Sequence, residues 1–242
     1  MERVSSGIAG LDDMLNGGFP KGRIILLCGG PGTGKTILSL QFLARAADRG
    51  EPGLYVTLEE PLNMIKENVK TFHWNLDEKE KRGLLRMLNF YTLPYSTGVV
   101  GIKERQTDEL ILSLINEIGR EAHEISAENI VIDPLTSLTI HERSAGAKRH
   151  KIASLFENLR KLGCTSICTS ETSSVNREFY MEEFLADGVI RLEKIIHDFT
   201  LIKTIRIEKM RGILYDEQPR RYTIGENGFA VYSTEPIAWR EE

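Results

Sequence analysis

The chain has 242 residues, 41% of them hydrophobic, and its 31 basic and 35 acidic residues leave a formal charge of −4. That balance carries no electrostatic footprint for non-specific nucleic-acid binding. The hydrophobic content suffices for a full core, and no Gly/Ser-rich or Pro-rich linker interrupts it, so one domain spanning 1–242 is expected.

No stretch approaches the roughly 18 apolar residues of a membrane helix, and Met1-Glu2-Arg3-Val4-Ser5 lacks a signal peptide's apolar region. The expectation is a soluble cytoplasmic protein that does not engage a membrane. Cys28, Cys164 and Cys168 are odd in number and sit in or beside apolar strand patterns, which argues for small core residues rather than a disulfide framework or a metal site.

In chain order, the first strong pattern is Arg23-Ile24-Ile25-Leu26-Leu27-Cys28, an apolar run suited to a strand buried on both faces of a parallel sheet. It leads into Gly29-Gly30-Pro31-Gly32-Thr33-Gly34-Lys35-Thr36, which fits G-x-x-x-x-G-K-[ST]. Ile37, Leu38, Phe42, Leu43, Ala46 and Ala47 then recur at helical spacing up to Arg49-Gly50, a basic last turn and a C-cap glycine. Strand, glycine-rich loop and helix in this order form a phosphate site. The glycines let successive N–H groups face one anion, at a helix N-terminus whose dipole is already positive. A bound nucleoside triphosphate would be held by Gly30, Pro31, Gly32, Thr33, Gly34, Lys35 and Thr36, with Lys35 on the β- and γ-phosphates and the Thr36 hydroxyl on Mg²⁺.

Leu54 to Leu58 reads as a second strand, ending on Glu59-Glu60 before Pro61. Acids at the carboxyl end of a parallel strand point into the ligand crevice of an open α/β sheet; a solvated turn or N-cap before a helix containing Met64 and Ile65 is the alternative. Leu84 to Tyr91 is a third, less clean strand. Leu110, Ile111, Leu114, Ile115 and Ile118 form one helical face, and Asn129-Ile130-Val131-Ile132-Asp133 is a strand ending in an acid, suited to hold the water shell of Mg²⁺. Pro134 follows it, so a hydrolytic base has to come from elsewhere, and Glu59 or Glu60 is available.

Lys148-Arg149-His150-Lys151 opens a helix pattern through Leu155, Phe156, Leu159 and Leu162, and reads as a solvated helical turn, with a local contact to a nucleic-acid phosphate backbone as the alternative. Thr165 to Thr169 is a further strand, tipped by Ser170-Glu171-Thr172, where Ser170 or Glu171 could face a γ-phosphate or simply make a turn. Gly188–Leu192, Leu201–Glu208, Arg221–Ile224 and Phe229–Tyr232 read as antiparallel strands, the last two joined by a hairpin at Glu226-Asn227-Gly228. The expected fold is α/β, a mostly parallel central sheet flanked by helices with a C-terminal antiparallel extension.

Ser6-Gly7-Ile8-Ala9-Gly10-Leu11-Asp12, Gly17-Gly18-Phe19-Pro20-Lys21-Gly22, the phosphate loop, Glu59-Glu60 and Lys209-Met210-Arg211-Gly212 occur together in order. The chain thereby resembles the KaiC family of RecA-like P-loop ATPases, from about Val4 to Tyr232, and has room for one copy of a domain that the family's clock protein carries twice. The resemblance implies a homo-oligomer, a hexameric ring with ATP and Mg²⁺ between adjacent subunits. It implies Glu59, with Glu60 beside it, as the catalytic glutamate and Asp133 as the Walker B acid. Lys209 and Arg211 match a basic pair that reaches the neighbour's γ-phosphate. Glu183 and Phe184 stand where the clock protein's self-phosphorylating copy has serine and threonine, which argues against phosphorylation there, and Tyr215 replaces a histidine after the basic pair. The implied function is slow ATP hydrolysis with a nucleotide-dependent ring that an unidentified partner protein reads. A RecA/RadA-type recombination ATPase and a non-catalytic ATP-stabilised scaffold are the alternatives.

Overall fold

The computed structural model describes residues 1–90, 104–140, 142, 144–171 and 181–235. The chain begins with β1 (Arg3–Val4), α1 (Leu11–Met14), β2 (Phe19–Pro20) and β3 (Ile24–Gly29), followed by α2 (Lys35–Asp48), β4 (Gly53–Thr57) and α3 (Leu62–Val69). Next come α4 (Leu76–Lys81), β5 (Leu85–Asn89), α5 (Glu104–Glu124), β6 (Asn129–Asp133) and α6 (Ala145–Leu162). The last elements are β7 (Thr165–Glu171), α7 (Met181–Leu185), β8 (Gly188–His197), β9 (Thr200–Met210), β10 (Arg220–Gly225) and β11 (Gly228–Val231). The third expected strand stops at Asn89, and the expected Tyr91 and Thr172 lie outside the described residues.

Nine strands form one sheet in the order β11-β10-β9-β8-β3-β7-β6-β4-β5. Pairing is parallel from β8 through β5 and antiparallel from β8 to β11. Placing Gly188–Leu192 among the antiparallel strands therefore needs correction: this segment runs parallel to β3, from Ile25↔Gly188 to Gly29↔Leu192, and turns antiparallel only against β9. A parallel strand is usually announced by a crossover helix, and the described part of this connection carries only the five residues of α7. The C-terminal hairpin turns on Glu226-Asn227, and the left-handed residue is Gly228 at φ 93°.

Alternation along β3 divides the core. Ile25 and Leu27 face α2, whose Leu38, Phe42 and Leu43 are fully covered. Ile24, Leu26 and Cys28 face the opposite layer, built from Leu114 and Ile118 of α5 and from Ile152, Leu155, Phe156 and Leu159 of α6. Each such side chain contributes about 1.5–3 kcal/mol by leaving water. Among the described residues no helix is long and apolar enough to cross a membrane.

The basic run at the start of α6 is not uniformly solvated. Arg149 and His150 are exposed, whereas Lys151 is buried against Glu142, also buried. A side chain in the second turn of the helix still leans back toward the chain that precedes it, and the run's composition cannot reveal that partner.

Gln41 of α2 ties three segments together: its Nε2 donates to Gly7 O (3.3 Å) and Phe229 O (3.1 Å), and its Oε1 accepts from Phe229 N (2.6 Å). A Gln41→Ala variant leaves buried backbone groups of Phe229 unpaired, at roughly 1–3 kcal/mol per group. Urea unfolding is expected to show a loss of at least about 2 kcal/mol; a loss within experimental scatter would contradict this role. The three cysteines are unpaired and buried. Burial pushes the thiols up, to about 11 for Cys164 and about 12 for Cys168, and Cys28 likewise upward. A thiol-directed reagent at pH near 8 should leave the folded chain unlabelled and react with all three cysteines after denaturation; rapid native labelling would show that these cysteines are not packed as described.

Candidate nucleotide-binding site

The loop between β3 and α2 is shaped by two left-handed glycines, Gly32 at φ 69° and Gly34 at φ 95°. A Cβ on Gly34 would lie 2.5 Å from Ile224 Cδ1, so both conformation and space demand glycine there. Internal bonds hold the loop open. The Thr33 hydroxyl donates to Gly30 O (2.8 Å), and the buried Tyr222 hydroxyl of β10 donates to Thr33 O (2.6 Å). Lys35 Nζ reaches back to Gly29 O (2.8 Å) and Gly30 O (3.2 Å). Burial lowers the pKa of this amine, while the negative charges of Glu171, Asp133 and Glu59 oppose the shift.

Asp133 ends β6 directly opposite Thr57 of β4. Its carboxylate accepts from Thr36 Oγ1 (2.7 Å), Tyr55 OH (2.8 Å) and Thr169 Oγ1. Burial, and next the charge of Asp133, holds the Tyr55 phenol well above its ordinary pKa, so it stays a donor. A hydroxyl and a carboxylate in contact are hard oxygen donors of the kind Mg²⁺ takes beside substrate phosphates and water. Thr36 and Asp133 therefore fit the ion.

A cleft of about 660 Å³ opens over this loop, with Glu59, Glu60, Asp133 and Glu171 among its acids and Lys35 and Lys203 among its bases. Glu59 and Glu60 follow β4, where the Thr57 hydroxyl donates to Glu60 O (2.8 Å) and organises the turn. The capping alternative does not hold: Pro61 occupies the N-cap of α3 and no side chain caps that helix. The two acids differ. Glu60 accepts from Asn68 Nδ2 (2.8 Å), and burial followed by the charge of Asp133 raises its pKa. Glu59 is exposed, and its carboxylate accepts a long contact from the Ser137 hydroxyl at 3.4 Å. The pair at the end of β7 also separates: Ser170 is buried and bonded to Glu182 (3.1 Å), while Glu171 faces the cleft.

Lys209 and Arg211 do not line this cleft. Lys209 pairs with Val189 near the start of β8, three residues of strand, about 10 Å, before the level of the loop. Its Nζ donates to Glu183 O (2.6 Å), and its pKa is lowered by burial and then by Arg211. Arg211 bonds Phe184 O (3.4 Å) and lies 4.0 Å from Asp187, whose carboxylate accepts from Ile24 N at the amino end of β3. Arg211 thus sits toward the amino end of the parallel strands and Lys209 against α7, neither of them in the cleft of its own chain. Glu183 is a buried carboxylate ion-paired with Arg191 (2.7 Å), and Tyr215 OH donates to Glu208 O (3.4 Å).

Sequence reasoning missed Tyr55, Thr169, Tyr222, Lys203 and Ile224. A tyrosine hydroxyl within an apolar strand is itself a signal, since buried phenols seek a partner. The others depend on which strands are neighbours, which local pattern does not contain.

Comparison with known proteins agrees with this geometry. The family described as "ATPase: KaiC" matches residues 4–236. A UPF0273 protein of Thermotoga maritima is 36% identical over 241 residues, covering 97% of this chain and 98% of its own. The circadian clock oscillator protein KaiC of a Nostoc species is 31% identical over 236 residues, covering 96% of this chain but 44% of that longer protein. The crystal structure of a KaiC-like protein from Pyrococcus horikoshii OT3 superposes with a TM-score of 0.82 at 32% identity, over 96% of this chain and 99% of that one. The chain belongs to the KaiC family of P-loop ATPases.

Proposed function

We propose that this chain is one subunit of a ring, a hexamer on the family pattern, that hydrolyses ATP at sites shared between neighbours and presents a nucleotide-dependent shape to a partner protein. One observation carries the shared-site reading: Lys209 and Arg211 lie outside the cleft of their own chain, Arg211 beside Asp187 at the amino end of the sheet. In a head-to-tail assembly, that end of one subunit meets the loop end of the next.

The residues then divide the work. The loop amides and Lys35 hold the β- and γ-phosphates, and Thr36 and Asp133 hold Mg²⁺ and its water shell. The ion, when bound, neutralises charge developing on the phosphate oxygens. Glu59, the less engaged of the two acids, orients the attacking water and accepts its proton, while Glu60 is anchored to α3 through Asn68. Lys209 and Arg211 of the neighbour stabilise the transferring phosphoryl group. Hydrolysis is slow on this reading, and Glu183, already paired with Arg191, offers no hydroxyl for self-phosphorylation.

ATP hydrolysis should be measured against protein concentration, with particle size followed in parallel. Specific activity is expected to rise with assembly, and Glu59→Gln and Arg211→Ala each to lose at least about a hundredfold. Equal activity in a dilute monomer would refute the shared site; strong stimulation by single-stranded DNA would favour a recombination ATPase, and negligible turnover in an intact ring would favour a scaffold. Asp133→Asn tests the ion: it keeps the side chain's size but removes its charge. We expect Mg²⁺-dependent turnover to fall at least about a hundredfold while metal-free nucleotide affinity changes little; unchanged Mg²⁺ dependence would remove Asp133 from the metal site.

A further inference from the structure

The β8–β9 hairpin carries the inner face of the sheet past the edge of the core. Leu192 and Ile205 are buried opposite each other, and the next pair on the same face is Lys194 opposite Lys203. Like charges in direct register destabilise a strand pair unless an anion joins them. Among the described residues neither amine is ion-paired with a carboxylate. Lys203 lines the cleft.

Lys194 does something more specific. Its Nζ donates to Pro31 O at 2.9 Å and lies 2.7 Å from the place a Cβ on Gly32 would occupy, so the amine rests on the phosphate loop. Pro31 is the one residue of this loop without an N–H to offer an anion. An ammonium has three protons, and Pro31 O engages one of them. Lys35, the amine that reaches the β- and γ-phosphates in such loops, bonds the carbonyls of Gly29 and Gly30 just before it. Lys35 and Lys194 thus both bond carbonyls of this loop, and Lys203, opposite Lys194 in the strand pair, lines the cleft.

We propose that Lys194 is a nucleotide-binding residue supplied in cis by the β8–β9 hairpin, replacing the donor that Pro31 lacks and contacting the terminal phosphate, so that it favours the triphosphate over the diphosphate. This rests on the ATPase reading of the cleft. Lys194 is exposed, so its replacement leaves the core intact.

The test is calorimetric titration of the full chain with Mg²⁺ and either a non-hydrolysable ATP analogue or ADP, for the unaltered protein, Lys194→Gln and Lys194→Arg. Glutamine can still donate to Pro31 O but carries no charge. The expected result is that Lys194→Gln weakens triphosphate binding about tenfold or more and ADP binding less than about threefold, while Lys194→Arg retains most of the preference. Equal weakening for both nucleotides would reduce Lys194 to loop support, and unchanged binding of both would remove it from the site; either overturns the proposal. If the unaltered chain binds neither nucleotide, the ATPase reading fails and takes this one with it.

Discussion

One buried carboxylate organises the nucleotide site. Asp133 takes a proton donor from each of three different elements: Thr36 from α2, Tyr55 from β4 and Thr169 from β7. A carboxyl group with so little water around it needs those donors, because a buried polar group left without partners costs about 1–3 kcal/mol. The three hydroxyls bring the ends of three neighbouring strands and the first turn of α2 to one point. These bonds fix the carboxylate relative to the strand ends on both sides of it.

The phosphate loop was legible in the sequence because its chemistry is local: glycine conformations, a lysine and a hydroxyl at fixed spacing before a helix. Asp133 was legible as the end of an apolar strand, and Glu59-Glu60 as acids at a strand tip. What escaped was non-local. That Tyr55 and Thr169 flank Asp133 follows from the order β4-β6-β7, which no window of sequence contains. The parallel run of β8 was hidden by the short helix before it, and the pairing of Lys151 with Glu142 by the apparent uniformity of a basic run. Lys194 escaped for the same reason: it lies 163 positions from Pro31 and meets it only because β8 pairs with β3.

The molecule is polarised along its strands. The carboxyl ends carry the phosphate loop, the acids of the cleft and Lys203; the amino ends carry Asp187 and Arg211. In the proposed assembly the two ends are complementary halves of one site, so that each chain is incomplete by itself. A head-to-tail interface of this kind closes into a ring when its rotation divides a full turn. Self-assembly and catalysis then become one requirement, and nucleotide occupancy reports on the ring as a whole. Helix α7 holds both basic residues through the backbone carbonyls of Glu183 and Phe184, while its Glu182 is bonded to Ser170 at the end of β7. The two basic side chains are thus fastened to an element that also touches a strand of the chain's own cleft.

The shared site is tested most directly by combining two defective chains. Glu59→Gln lacks the base but keeps the basic pair, and Arg211→Ala lacks the cation but keeps the base. Co-expressed in equal amounts and recovered as mixed rings, they should regain up to about a quarter of full activity, because random placement joins an intact base to an intact neighbouring arginine at about that share of interfaces. Mixed rings as inactive as their parents would contradict a site built from two chains.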